Sequence, residues 1–549
     1  MPAITVSKTE FLQGIQKQMT DDEVDSVLFD FGLELDEILA EEETKYKIDI
    51  PANRYDLLCL KGLVNGVSAY LESKPQKEIS IKENGEAVLG TPPAERPFIK
   101  MAILKNIDLS NGGYQDLIDF QDKLHQGLGQ NRALMAIGTH NYDVTQRPYT
   151  YTAMEEEKVS FVPLNQTKEY TRPELDALYA HDPKLKDYTK HGRAEGTVPV
   201  LLDGAGRILS LPPLINSDFS KITPQTKNVL VEVTGTDLPR VDTAMYLILH
   251  HFSEAGTIIE EFLYAKAGER PPLTLTKQDI ERDLLLSITE QTAAKYLTKM
   301  MHRVEVQKEG EAWEVCVHPT KLRPDVLHKC DLVEDVAIAH GYNNFEKLLS
   351  ATYSCGEELP INAASSGIRR ECAMVGYTEM FTMALLSKND CTGFGISSHI
   401  QLKNSKSSEC EVLRQVLAPS ILKCIFSNQH HHLPIKVFEV SDVGVFDASD
   451  VGVRNDRRLC MAIAGAQSGL EDLQEAFDVV MKRIGVRVEY QEENTAPFLN
   501  GRACGVYANA KRVGSLGIVD PSVIRHHKIP HVCSLVEISL TTLLDKANE

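Results

Sequence analysis

The sequence predicts a multidomain α+β chain: two related small helical, winged units, a mixed α/β unit between them, and a C-terminal unit built on an antiparallel sheet. Three observations lead there. The first is length, because 549 residues exceed what one hydrophobic core organises and imply roughly three to five domains. The second is an internal repeat at an offset of 269 residues. Arg54, Asp56, Leu58, Leu63, Val64 and Val67 return as Arg323, Asp325, Leu327, Leu332, Val333 and Val336. The third is periodicity: short alternating strands mix with helices from about 97 to 270, and longer alternating segments return after 360.

The elements follow in order. Ser7 with Glu10, and Thr20 with Glu23, have capping-box spacing ahead of apolar residues, Phe11, Leu12 and Ile15 in the first helix and Val24, Leu28 and Phe29 in the second. A strand over 46–50 leads through Pro51 into the first copy of the repeat, where Leu57, Leu60, Val64, Val67 and Leu71 mark a helix face. This unit is bounded at 1–85, and the glycine, proline and charge of 83–96 read as a linker. The mixed unit, 97–270, carries strand patterns at 98–104, 134–137, 198–202, 207–211 and 229–233. Asp203, Gly204, Ala205 and Gly206 supply a hairpin turn. A break at 267–272 closes it. The second copy of the repeat fills 271–350, and the last unit, 355–549, has strands near 437–440, 460–464, 502–508 and 534–538 and helices near 363–375, 412–428 and 470–484.

Composition narrows the class. With 42% hydrophobic and 25% charged residues the chain is an ordinary globular protein. No apolar run approaches the ~20 residues of a membrane span, and no basic-then-apolar leader is present, so the expectation is cytoplasmic. Eleven cysteines without a CxxC pair point to reduced thiols, and the run His430, His431, His432 reads as a surface loop. The net charge of -20 excludes nucleic-acid binding by general electrostatics; any polyanion must meet a local patch or a partner subunit.

The second copy differs from the first where Gly62, Asn65 and Gly66 become Asp331, Glu334 and Asp335. On a helix over 331–340 these acids fall at i, i+3 and i+4 on one face, with Asp325 just upstream. Such carboxylates suit Mg²⁺, which takes one or two of them and keeps several waters. The plainer alternative is a solvated acidic face. No Walker loop, GxGxxG, HExxH or GxSxG occurs.

Seven collinear blocks carry a resemblance: 46–60 (YKIDIPANRYDLLCL), 137–140 (IGTH), 165–170 (NQTKEY), 211–217 (LPPLINS), 233–237 (VTGTD), 331–335 (DLVED) with 341–344 (GYNN), and 413–422. In this order they resemble the beta subunit of phenylalanine-tRNA ligase of the eukaryotic cytosolic and archaeal type. The resemblance implies an N-terminal small domain, a tRNA-editing domain, a magnesium-binding small domain and an inactive class II synthetase-like module. It implies a catalytic alpha subunit, an assembly of two alpha and two beta chains, and phenylalanine tRNA as partners. It places Mg²⁺ on Asp325, Asp331, Glu334 and Asp335; the counterpart of Asp325, Asp56, lies in the copy without the cluster.

The same resemblance maps a pocket that selects and hydrolyses mischarged tyrosyl-tRNA onto Leu201, Ser210, Asn216, Glu232 and Thr234. Hydroxyls and amides there could recognise a phenol that phenylalanine lacks. Strand alternation taken alone makes Glu232 an outward, solvated acid, and His140, in a matching block, is equally a core or capping histidine. The strand at 437–440 lacks a motif 2 arginine and no motif 3 counterpart follows. Two other functions fit parts of the chain, a free-standing Mg-dependent hydrolase using the acidic face and a stand-alone editing protein.

Overall fold

The computed structural model describes residues 2–40, 43–73, 76–191, 196–254, 256–263, 270–308, 312–349, 352 and 354–544. The chain divides into two compact units, Met1–Leu348 and Leu349–Glu549. The break expected at 267–272 begins outside the described residues.

The first unit opens with β1 (Ala3–Ser7), α1 (Lys8–Gly14), α2 (Asp21–Phe31), β2 (Glu34–Ala40), β3 (Thr44–Asp49) and α3 (Leu60–Glu72), its sheet ordered β1-β3-β2. Thr20 and Glu23 close a reciprocal capping box on α2. Ser7 accepts the Glu10 N–H, but its hydroxyl turns to Glu43, so only half of the expected box forms on α1. β2 alternates no apolar residues and has no signal in the sequence.

There follow β4 (Ile81–Ala87), β5 (Phe98–Lys105), α4 (Gly113–Gln126), β6 (Met135–Asn141), β7 (Thr150–Glu155), the short pair β8 (Ser160–Phe161) and β9 (Tyr170–Thr171), α5 (Arg172–Tyr179), β10 (Thr197–Leu202), β11 (Ile208–Leu211), β12 (Ile215–Asn216), β13 (Asn228–Gly235), α6 (Leu238–Phe252) and β14 (Ile258–Leu263). They make a five-stranded sheet, β4-β14-β5-β13-β6, and a four-stranded one, β12-β11-β10-β7. The expected linker is therefore partly a strand: β4 pairs parallel with β14 at the sheet edge, where a polar sequence is normal because one side of the strand stays in water. The turn between β10 and β11 forms as expected, with Gly206 at φ +77° and the Asp203 carboxylate accepting the Ala205 and Arg207 N–H groups.

The second copy comprises β15 (Leu273–Thr276), α7 (Lys277–Leu284), α8 (Glu290–Lys299), β16 (Arg303–Lys308), β17 (Glu314–His318) and α9 (Lys329–His340), ordered β15-β17-β16. The starts of α7, α8, β16 and α9 lie 269 positions after those of α1, α2, β2 and α3, so the repeat extends to the whole small fold. α3 packs on α8 and α2 on α9, which are the same helix pair exchanged between copies. The contacts between the two copies are thus reciprocal. One core runs from Ile4 to Ala339 through the segments expected as three domains.

The second unit contains α10 (Pro360–Met374), β18 (Thr378–Glu379), β19 (Leu385–Leu386), β20 (Ile400–Gln401), β21 (Val412–Leu413), α11 (Ala418–Ser427), β22 (Ile435–Phe446), β23 (Val453–Gly465), α12 (Leu470–Arg483), β24 (Val488–Glu492), β25 (Phe498–Ala508), β26 (Lys511–Val519), α13 (Pro521–His526) and β27 (Val532–Ser539). Its main sheet, β18-β22-β23-β27-β26-β25-β24, is antiparallel at every pairing except β18 with β22. α10 and α12 cover one face and α11 and α13 the other. The helix expected at 412–428 is shorter, since Val412 and Leu413 join a small sheet and Pro419 sits in the first turn of α11. His430, His431 and His432 are exposed, and all eleven cysteines are free thiols.

Candidate functional site

β13, an interior strand between β5 and β6, positions the site. Val229, Val231 and Val233 point into the large core against α6, while Leu230 packs with Leu201, Tyr149 and Tyr151 in the layer between the two sheets. Side chains alternate along a strand, so Glu232 and Thr234 share the face of Leu230 and lie in that layer. Glu232 is therefore buried, at 2% exposure, contrary to the solvated acid that alternation favoured. Both faces of the strand are covered, and alternation carries no information about water in that case.

The other three expected residues come from the facing sheet. Leu201 pairs with Ser210, and Ser210 with Asn216, across β10, β11 and β12. Directly paired residues point to the same side, and because Leu201 packs on Leu230, all three face the Glu232 layer. A bulge after Leu201 brings Ser210 into this row beside Leu209, which packs in the same layer. Asn216 Nδ2 donates to the Thr139 carbonyl at 3.4 Å, tying this sheet to β6.

Residues outside the expected set complete the site. Gly138 stands opposite Glu232 in the register, and a Cβ there would lie 2.3 Å from Glu232 Oε1, so the carboxylate rests over a position that admits only hydrogen. His140 Nδ1 is 2.8 Å from Ser220 Oγ, and its Nε2 is 3.6 Å from Glu232 Oε1. Arg96 donates to Thr234 Oγ1 and to the Thr234 carbonyl, both at 2.9 Å, and its own carbonyl accepts from Tyr151. Burial lowers the Arg96 guanidinium to about 10, with Tyr151 and Glu232 opposing the fall. Arg96 lies in the stretch read as linker. No local pattern distinguishes it from a solvated charge. His140 at least carried the signal of lying in a resembling block.

Three buried polar atoms at this layer, Ser210 Oγ, His140 Nε2 and Glu232 Oε2, lack a hydrogen-bond partner among the described residues. Each unmet group costs about 1–3 kcal/mol. Native interiors leave few such atoms, so this layer holds unmet hydrogen-bonding capacity that a polar group or water would fill.

The acidic set of the second copy behaves differently. Asp325 accepts from Arg323 Nε at 3.0 Å and Nη2 at 2.9 Å, and from Asn53 of the first copy at 3.2 Å. Asp335 is buried between Arg323 at 3.1 Å and His302 at 2.5 Å. Burial alone would raise its carboxyl; Arg323 and His302 outweigh that and bring it to about 2. Asp331 caps α9, accepting the Leu327 and His328 N–H groups at 2.7 and 2.8 Å. Glu334 is exposed. The four acids expected to share one Mg²⁺ do not converge: no three His, Cys, Asp or Glu side chains form a metal-holding group among the described residues. Arg323 occupies the electrostatic place of a cation for two of them. This arrangement does not fit one ion held by all four.

Comparison with known proteins agrees with this architecture. The family model of the Phe-tRNA synthetase beta subunit B1 domain matches residues 1–73, that of the tRNA synthetase B5 domain matches 273–342, and that of the phenylalanyl tRNA synthetase beta chain CLM domain matches 346–540. The first two coincide with the two copies of the repeat. A probable phenylalanine–tRNA ligase beta subunit of Encephalitozoon cuniculi is 38% identical, covering 99% of both chains. The human phenylalanine–tRNA ligase beta subunit is 36% identical over 99% of this chain and 100% of its own. The crystal structure of an N-terminal fragment of the Pyrococcus horikoshii phenylalanyl-tRNA synthetase beta subunit superposes with a TM-score of 0.56 at 26% identity, covering 62% of this chain and 99% of the fragment. With near-complete coverage at this identity, the chain belongs to the family of phenylalanine–tRNA ligase beta subunits.

Proposed function

We propose that the chain works beside a catalytic alpha subunit, two of each forming the assembly that attaches phenylalanine to its tRNA with ATP in the cytoplasm, and that the layer around Glu232 hydrolyses tyrosyl-tRNA made in error. The observation that carries the editing half is the set of three unpartnered buried atoms, Ser210 Oγ, His140 Nε2 and Glu232 Oε2. A tyrosine phenol donates to Glu232 Oε2 and accepts from Ser210 Oγ, so it meets two of the three atoms, whereas phenylalanine leaves both unmet. Sites of this kind reject the analogue lacking the hydroxyl strongly. Hydrolysis then adds water to the ester between tyrosine and the tRNA terminus, releasing tyrosine and free tRNA. Glu232 and Ser210 select the side chain, Asn216 and Thr234 hold the two sheets in register around it, and Leu201 supplies apolar wall. No step runs through a metal.

The test is deacylation of tyrosyl-tRNA and phenylalanyl-tRNA by the alpha–beta complex. Wild type hydrolyses the tyrosyl ester much faster. Glu232→Ala loses roughly ten- to hundredfold of that preference, the worth of a hydrogen bond to a charged group, while phenylalanine activation is retained. Hydrolysis that is absent, or indifferent to both Glu232→Ala and Ser210→Ala, removes the editing assignment.

A further inference from the structure

Glu232 can read a phenol only if its carboxylate is held at one angle, and none of the residues expected in the pocket holds it. Among the described residues, the polar side chain in ion-pair range of Glu232 is His140, on the adjacent strand β6, while Arg96 and Tyr151 feel its charge. The imidazole is fully buried, with Nδ1 at 2.8 Å from Ser220 Oγ and Nε2 at 3.6 Å from Glu232 Oε1. The second distance is longer than a hydrogen bond, and catalytic and binding contacts of this kind commonly tighten only when substrate arrives. The Ser220 contact decides the tautomer. A ring nitrogen facing a carboxylate is favoured as N–H, and the Ser220 hydroxyl then donates to the bare Nδ1. Ser220 is fully buried, so it cannot itself reach a tRNA ester and is no candidate nucleophile.

We infer that His140, oriented by Ser220, is the positioning residue that sets tyrosine selection: its Nε2–H engages Glu232 Oε1 and leaves Oε2 to accept the phenolic hydrogen. Gly138 is the second constraint, since its missing Cβ leaves the space over which the carboxylate lies. The inference rests on the editing function proposed above, and it assigns His140 no contact with the ester.

The experiment uses the alpha–beta complex and follows hydrolysis of tyrosyl- against phenylalanyl-tRNA. An asparagine at 140 can reproduce the Nδ1 position but not Nε2; a glutamine can place its amide nitrogen near Nε2. His140→Asn is expected to lose about tenfold or more of the tyrosine preference, and His140→Gln to retain most of it, with phenylalanine attachment unchanged in both. In a Glu232→Gln background His140→Asn has no further effect, because the two residues act as one unit. Should His140→Asn fail to assemble, Ser220→Ala, which frees the ring, is expected to lose several-fold in the same direction. Wild-type preference in His140→Asn with a loss in Glu232→Gln, or multiplicative effects of the two, overturns this inference and leaves editing intact. Absence of tyrosyl-tRNA hydrolysis in wild type overturns both.

Discussion

His125 of α4 shows how a single side chain ties the site to pH. Its Nε2 accepts the Ile137 N–H at 2.8 Å, on the strand that also carries Gly138 and His140, so that nitrogen has to be unprotonated. Burial, aided by Arg132, pushes the imidazole down to about 4 from 6.5, with Asp122 opposing. Between those values the unfolded chain binds a proton that the folded chain refuses. Stability from this group is therefore whole above pH 6.5 and lost as pH falls toward 4, by about 3 kcal/mol in total. His251, brought to about 3 by burial beside His250, acts in the same direction. We predict that the thermal midpoint falls between pH 7 and 5 and that His125→Gln flattens this dependence. Equal slopes in wild type and variant would show that His125 does not contribute. The sequence marked neither histidine. Their burial depends on α4 and α6 closing over the sheet, which residue spacing within one helix does not reveal, just as the covered second face of β13 hid the burial of Glu232.

At the scale of the element, the repeat explains what the acids of the second copy do. Arg54 grips Asp56 at 2.9 and 2.8 Å in the first copy, and Arg323 grips Asp325 in the second, so the arginine–aspartate clasp is common to both. The offset also matches Leu33 to His302 and Gly66 to Asp335. Leu33 is buried, and a Cβ on Gly66 would meet Leu57 at 2.6 Å, so the first copy fills with apolar packing the place where the second puts a His–Asp pair. The substitutions of the acidic cluster were legible in the sequence as differences between copies. That Arg323 and His302 would neutralise Asp335 was not, because Arg323 looked like shared scaffold and His302 lies on the far side of a two-strand excursion. A buried ion pair deprived of one partner costs about 3–5 kcal/mol, whereas an apolar replacement of both is often neutral. Asp335→Ala alone is expected to destabilise the chain strongly, and the double replacement Asp335→Ala with His302→Leu to recover much of the loss in a urea-unfolding cycle. Strict additivity of the two would sink the coupled pair. In the same assay, chelation of divalent ions should leave wild type unchanged; a drop reversed by Mg²⁺ would mean that the four carboxylates regroup around a cation.

For the whole molecule, the second unit matches the phenylalanyl tRNA synthetase beta chain CLM domain, and whether the chain activates an amino acid by itself turns on that unit. A cavity of about 220 Å³ in that unit is lined in part by Arg458, Arg512, Phe498 and Glu537, and its arginines are the groups a nucleotide triphosphate would need. Arg512 faces Glu493 at 2.9 Å near the surface, a pair worth under about 1 kcal/mol and easily broken. Arg458 is different. It donates to Asp456 at 2.8 Å and to Glu537 at 3.0 Å, and Glu537, itself buried, also accepts the Leu417 and Ala418 N–H groups at 3.0 and 2.9 Å, at the start of α11. A carboxylate of the chain thus takes the helix N-terminus, the place that would favour a phosphate, and neutralises the arginine beside it. Expelling it would strand a buried charge at several kcal/mol. The resemblance led to the expectation that motif arginines are missing, but nothing in the sequence signalled this internal carboxylate, since Glu537 lies 120 positions from Leu417 and meets it only through the folded sheet. Pyrophosphate exchange into ATP with phenylalanine is therefore expected to be at background for the purified chain and to appear only when the alpha subunit is added. Robust exchange by the alpha-free chain would refute the division of labour between the subunits.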